Sequence, residues 1–320
     1  MRKLGEATLR LLAGGLALIF LCMGAVGCGD TGEEADRVTA VTDVLGRSVA
    51  IPQEPLRVAA LLGSLADLWQ LAGGELCAAA EDAWEDFALS LDGVAEIGGA
   101  HSPSTERLIA AEPNLVLASA STASHLELRQ PLEAMGIAVL YFDIDNFEDY
   151  LQALSLCTDL TGRVDLYEAN GLALKQRIEQ IKALYRESHP NERAHRVLLL
   201  RASASAVKTK GSEGTVLGEM LADLGCINIA DGEGSLLDRL SVEAVIREEP
   251  SHIFVVTMGD DTEGARASVE QMLKEDPAWG GLEAVRENRV HVMDKRLFNL
   301  KPNLRWADAY EILYQILTEA

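Results

Sequence analysis

The sequence predicts an α/β protein of two lobes, each built on a mainly parallel sheet covered by helices, with one long helix joining them. Three features of the 320-residue chain predict this. Short continuous apolar runs alternate with helix-patterned stretches, as in a parallel sheet buried on both faces. The stretch SPSTERLIAAEPNLVLAS, Ser102 to Ser119, is echoed by LSVEAVIREEPSHIFVV: Ser104, Glu106, Ile109, Glu112 and Pro113 recur as Ser241, Glu243, Ile246, Glu249 and Pro250, each 137 positions on. Between the copies runs VDLYEANGLALKQRIEQIKALYRESHP, with Leu174, Ile178, Ile181 and Tyr185 on one helical stripe and Pro190 as its stop.

In chain order, MRKLGEATLR places Arg2, Lys3 and Arg10 ahead of the apolar run LLAGGLALIFLCMGAVG, which ends in small residues before Cys28. This predicts an export leader over 1–27, because the 17-residue run sits at the short limit for a membrane span. The polar GDTGEEADR then suits a solvated tether over 28–37. VTAVTDVLGRSVAIP alternates around Leu45-Gly46 as a β-hairpin and opens an N-terminal lobe over 38–164. Its strands are expected at VAALL (58–62), LCAAA (76–80), LVLA (115–118) and AVLYF (138–142), with helices between them. The connecting helix, placed over 165–189, spans ~35 Å from Asp165 to Glu187 at a rise of ~1.5 Å per residue and is expected to act as a strut permitting modest lobe movement. A C-terminal lobe over 190–320 follows, with RVLLLRAS, HIFVVT and VHVMD as strands. AVKTKG reads as a loop beside the first of these. A last helix, NLRWADAYEILYQIL, carries Trp306, Tyr310, Leu313, Tyr314 and Leu317 at spacings of three and four.

Removing the leader, with its three basic residues and one acidic residue, takes the formal charge from −22 to −24. So acidic a chain offers no basic footprint for nucleic acid. Cys77, Cys157 and Cys226 are widely spaced, without CxxC, and read as small buried apolar residues.

Enzyme signatures are missing: no GxSxG, no Walker sequence, no GxGxxG after a strand. KGSEGT (210–215) has the wrong spacing and is expected to cap the helix starting near Thr215. The six histidines form neither HExxH nor a dense tract, so no chelated metal ion and no cofactor is indicated. His101 stands apart because GGAHSPS is a glycine-rich loop ahead of a helix start, where ligands gather in open α/β lobes. Read blandly, it is an exposed loop histidine. Glu106 and Glu243 each suit a first helical turn, where a carboxylate meets the positive end of the dipole for about 0.3–1 kcal/mol. Two copies in two related lobes would also present a matched pair of negative points.

The stretches TDVLGRSVAIPQEPLRVAAL, SPSTERLIAAEPNLVLAS, LEAMGIAVLYFD, LSVEAVIREEPSHIFVV and LFNLKPNLRWADAYEIL cover nearly the whole chain after the leader. In their order and spacing the chain resembles the substrate-binding lipoproteins of iron-siderophore, haem and cobalamin ABC importers. Ala25-Val26-Gly27-Cys28 is likewise similar to a lipobox, which would make Cys28 the lipidated residue and anchor the protein on the outer face of the cytoplasmic membrane or in the periplasm. The resemblance implies two Rossmann-like lobes with the ligand in the cleft, no turnover, and a monomeric receptor partnered by an ABC permease dimer with its ATPase subunits. It also implies that Glu106 and Glu243 bridge to permease arginines, for which a carboxylate is suited by its bidentate pairing. The cleft candidates, taken from strand ends and the loops that follow them, are Ser64, Trp84, His101, Ser119, Arg201, Lys208, Met258 and Phe298. Among them Arg201 and Lys208 favour an anionic chelate, and Trp84 and Phe298 would cover flat apolar surface. Two rival readings stay open: a receptor for bare zinc or manganese, and a two-lobed enzyme acting on a chelate.

Overall fold

Alternation sets the first element: strands β1 (Thr39–Thr42) and β2 (Ser48–Ile51) pair antiparallel, with Val49 and Ile51 buried and Ser48 and Ala50 exposed. Asp43 closes their turn, its Oδ1 accepting the Leu45 and Arg47 amides at 3.0 Å each, and Gly46 takes the left-handed conformation at φ 73°. The structure, a computed structural model, describes residues 39–52, 55–188, 194–232, 237, 241–259 and 261–319. The expected leader, the tether and Cys28 lie outside the described residues. Among those residues no helix is long and apolar enough to cross a membrane.

The first sheet uses β3 (Val58–Ala60), β4 (Leu76–Ala79), β5 (Ala95–Glu96), β8 (Leu115–Ser119) and β9 (Ala138–Phe142), all parallel in the order β5-β4-β3-β8-β9. Between β5 and β8 the GGAHSP loop folds into a two-rung hairpin, β6 (Gly98–Gly99) with β7 (Ser102–Pro103). The second sheet runs β11-β10-β13-β14, with β12 (Ile227–Asn228) also on β10. β10 (Arg196–Ser203), β13 (His252–Thr257) and β14 (Val290–Met293) are parallel. β11 (Ala206–Lys210) is antiparallel to β10, so AVKTKG is a strand and not the loop the sequence suggested. Its signal is a period of two that lacks an apolar run: Thr209 is buried while Lys208, directly opposite Arg201, is exposed.

The connecting segment is helical from Val164 to Ser188, but it is not one uniform α-helix. Glu168–Leu172 widens into a π turn where a Cβ on Gly171 would stand 3.0 Å from Leu151 Cδ2. Asn170 locks this turn to the first lobe, donating from Nδ2 to Leu71 O at 2.8 Å and accepting the Tyr150 hydroxyl at 2.9 Å. Leu174, Ile178, Ile181 and Tyr185 are buried in a core that runs without a break from Ile51 and Leu117 through this helix to Leu199 and Phe254. Two satellite cores cover the other faces of the two sheets. The last helix (Trp306–Thr318) joins the same central core, its Trp306 ring 5.9 Å from Phe147 and its Tyr310 hydroxyl donating to Asp223 at 2.8 Å.

The sequence echo has a structural counterpart wider than the echo itself. Ser104 and Ser241 both cap helices, accepting the amides of Arg107 at 3.3 Å and Ala244 at 3.4 Å. Both helices end on a left-handed glutamate, Glu112 at φ 51° and Glu249 at φ 45°. An arginine from the start of the sheet's central strand then holds each end. Arg57 donates from Nε to Glu112 O at 2.8 Å, and Arg196 from Nε to Glu248 O at 2.8 Å. Glutamate pays a steric penalty in that conformation that glycine escapes. E112G and E249G are each expected to raise unfolding free energy by about 0.5–1 kcal/mol in urea titration, and a loss of stability would refute strain at these ends.

At the amino end of the second sheet three imidazoles adjoin, with ring centroids 5.2 Å apart for His195 and His252 and 5.5 Å apart for His252 and His291. The Ser251 hydroxyl donates to Arg196 O at 3.1 Å, so it accepts from His252 Nδ1 at 3.0 Å and leaves His252 Nε2 a buried lone pair without a partner among the described residues. Burial, with the charges of His195, His291 and Arg289, pushes the His252 pKa down to about 3. A depressed histidine contributes stability that is whole above the unfolded pKa of about 6.5 and is lost as pH falls toward the folded value. Relative to H252F, the wild type is expected to lose about 2 kcal/mol between about pH 6.5 and pH 4.5 in urea titrations. Parallel acid limbs for the two proteins would refute it.

Candidate functional site

The carboxyl ends of β3, β8 and β9 converge on one edge of the first sheet, the place where ligands meet open α/β sheets. Ser64 is the second residue of the helix Gly63–Leu71 that follows β3, and Ser119 ends β8; both are 6% exposed. They line one small pocket of about 20 Å³ together with Ser121, Asp143 and Lys301. Ser119 Oγ lies 3.0 Å from Ser121 Oγ, and the Ser121 amide donates back to Ser119 Oγ at 3.2 Å. Burial raises the Asp143 pKa, Asp145 adds to the rise, and Lys301 opposes it.

The second sheet supplies cations to the same region. Arg201 and Lys208 face each other across β10 and β11, so two like charges share one side of the ribbon. Lys210 belongs to this group, its pKa lowered by burial and then by Arg201 and Lys208. Arg201 is half-buried, and its Nε is buried without a hydrogen-bond partner among the described residues. Burial pulls its pKa down and the Asp145 charge partly restores it, which sets Arg201 within electrostatic reach of the loop after β9. Met258, 45% exposed, follows β13 and donates its amide to Ala202 O at 2.9 Å, one residue from Arg201.

Other candidates stand elsewhere. His101 is exposed at the tip of the β6–β7 hairpin, close enough to His125 and Asp82 to act on both electrostatically. Trp84 is half-buried against the central core. Phe298 is 2% exposed inside that core, so it covers no ligand surface here; its place at the end of the short helix Lys295–Phe298 turns the ring inward. Glu106 and Glu243 are both exposed in the first turns of their helices.

Several site residues escaped the sequence reading. Asp143 and Asp145 follow β9 directly and would have been found by applying to AVLYF the strand-end rule used for Ser64 and Ser119. Lys301 had no such signal, because it reaches Asp145 at 2.9 Å from 156 residues away. Further ties cross between the sheets' surroundings: Lys295 Nζ to Asp86 Oδ1 at 2.6 Å, and the buried Asn303 Nδ2 to Ser64 O at 2.9 Å and Asp67 Oδ2 at 2.8 Å. No group of three His, Cys, Asp or Glu among the described residues is placed to hold a metal ion.

Serines, Asp143 and Lys301 thus gather at the carboxyl edge of the first sheet, while the second sheet carries Arg201, within electrostatic reach of Asp145. The sequence profile of the family described as "Periplasmic binding protein" matches residues 58–297. The chain belongs to the periplasmic binding protein family. Its match takes in both sheets of this binding protein, from the first residue of β3 to beyond β14. A curated relative, the putative ABC transporter substrate-binding lipoprotein YhfQ of Bacillus subtilis (strain 168), is 20% identical over 286 residues, covering 84% of this chain and 85% of that one. Among solved structures, Staphylococcus aureus SirA complexed with staphyloferrin B aligns with TM-score 0.68 and 18% identity over 87% of this chain and 98% of that one. A periplasmic heme binding protein from Pseudomonas aeruginosa aligns with TM-score 0.68 and 24% identity over 83% of this chain and 94% of that one. These alignments bear out the two-lobed α/β fold expected from the repeat.

Proposed function

We propose that this binding protein captures an anionic metal chelate, of the ferric siderophore, haem or cobalamin class, in the cleft between its two sheets and delivers it to an ABC permease dimer driven by its ATPase subunits. The relatives support the transport role: one is named for an ABC transporter, and the solved neighbours hold staphyloferrin B or are named for heme. The observation that carries the ligand class is Arg201. A half-buried guanidinium beside Lys208 and Lys210, with an unpartnered Nε, is an arrangement that an incoming carboxylate or catecholate oxygen would relieve. Ser64, Ser119, Ser121 and Lys301 supply further polar contacts on the opposite wall.

In this reading residues 1–27 are the leader, Cys28 carries the lipid, 28–37 are the tether, and the lobes are 38–164 and 190–320 about the helix 165–189. The receptor works as a monomer on the outer side of the cytoplasmic membrane. Because the two sheets share one core and are tied by Lys295–Asp86 and Lys301–Asp145, closure on ligand is small.

Ligand-dependent thermal stabilisation tests the proposal across ferric siderophores, haemin and cobalamin. A ligand at 100 times its Kd adds about 2.7 kcal/mol by mass action. A clear shift with one class is expected, and no shift with any at saturation would overturn the reading.

A further inference from the structure

His101 was the histidine that the sequence offered to the cleft, yet the residue that organises its loop is His125. His125 sits in the first turn of the helix Ala123–Ala134 and is 0% exposed. Its Nδ1 accepts the Ser119 amide at 3.1 Å, and its Nε2 lies 2.7 Å from Ala100 O. An amide can only donate and a carbonyl can only accept, so Nδ1 carries the lone pair and Nε2 the hydrogen. The backbone is held as well, since the Tyr141 hydroxyl donates to His125 O at 2.7 Å. One ring thereby joins two segments of separate sheets: the β6–β7 hairpin bearing His101, and the end of β8 bearing Ser119.

We infer that His125 is a positioning residue of the binding surface, a neutral imidazole that clamps the 98–104 loop to the Ser119 end of β8 and so holds the hairpin that carries His101 in place. The inference rests on the reading that these two segments face the ligand. Only the Nε2–H form satisfies both partners. A second proton would have to go on Nδ1, where it would confront the Ser119 N–H and break the clamp. The surroundings resist that proton: burial lowers the His125 pKa first, the Ala100 hydrogen bond works against the shift, and His101 adds to it. The ionisable groups facing the ring are His101 on the hairpin, with Asp82 beyond it, and Tyr141 on β9, whose ring lies 4.9 Å from the Arg47 guanidinium. On the clamp's own helix Arg129 and Glu133 act on Tyr141. β8 contributes no ionisable side chain.

The test needs no ligand, so its failure is distinguishable from failure of the chelate reading. Amide hydrogen exchange, corrected for intrinsic rates, is followed at residues 98–104 and 119–121, with the helix Phe147–Thr161 as reference. In the wild type both segments are expected to lose protection together as pH falls below the ordinary histidine range of about 6.5, by about tenfold per unit once the ring titrates. H125Q can offer Oε1 to Ser119 and Nε2 to Ala100 without titrating, so it should hold protection across the same range. H125A should exchange fast at every pH. The clamp is overturned if the two segments lose protection independently, or if H125Q behaves as H125A while the reference helix stays protected. Should both variants fail to fold, the wild type decides: long-range proton–nitrogen correlation near pH 7 must find His125 as the Nε2–H tautomer, and the Nδ1–H tautomer refutes the assignment.

Discussion

Reversing the charge at both repeat glutamates, E106K with E243K, is expected to abolish ligand uptake while leaving ligand affinity within about twofold of wild type. Both side chains are exposed in the first turn of a serine-capped helix, and each helix leads into a central strand of its sheet, β8 and β13. Neither lines the serine pocket, so the ligand should not feel the change. An exposed salt bridge contributes only about 0.2–1 kcal/mol, which sets register more than affinity. Reversal does more than delete: if the two glutamates meet permease arginines, a lysine in either place would cost several kcal/mol. The stability cost is small by comparison, because a first-turn carboxylate meets its own helix dipole for about 0.3–1 kcal/mol. Uptake into cells carrying the double variant, beside calorimetric affinity of the purified protein, separates the two quantities. Normal uptake would reduce the pair to well-formed helix starts.

How far the chain could be read in advance varied with the range of the interaction. β3, β4, β8, β9, β10, β13 and β14 were legible because each is a short apolar run flanked by helix-patterned sequence. β11 was missed because its Lys-Thr-Lys alternation carries only one buried position, Thr209. The connecting helix was legible from its stripe, but its π turn was not: it depends on Leu151 and Leu154 crowding Gly171 from another helix. The same divide runs through the site. Ser64 and Ser119 stand at or just after strand ends, as read, whereas Arg201 lies two residues inside the end of β10, and Lys301 and Asn303 depend on a return crossing of the chain near its C-terminus. Phe298 illustrates the reverse error, since an aromatic residue at a strand–helix junction reads the same whether it faces ligand or core. His125 had no periodic or motif signal, because its role is set by two backbone groups brought to it by the fold.

The opposing signs expected for R201Q make it the sharper probe of the ligand class. With ligand, the glutamine should bind about 100-fold more weakly, equal to about 2.7 kcal/mol, because a charge-assisted contact to an anionic oxygen is lost from a half-buried wall. Without ligand, the same substitution should leave the protein as stable as wild type or slightly more so. The guanidinium is partly desolvated, its Nε has no partner among the described residues, and it stands beside Lys208 and Lys210 with Asp145 already paired to Lys301 at 2.9 Å. Deleting a buried charge that lacks full compensation removes a penalty, whereas deleting half of a satisfied pair destabilises. A binding site that stores such a penalty until its ligand arrives follows the usual exchange of stability for function. K208Q provides the contrast. Its side chain is exposed, so it should weaken binding only about threefold, through association rate and with reduced dependence on salt. The measurement is calorimetric titration with the small molecule carried through purification and identified by mass spectrometry, beside thermal unfolding of the ligand-free proteins. If R201Q lowered ligand-free stability and left affinity intact, Arg201 would be a structural cation, and the anionic chelate would lose its main support.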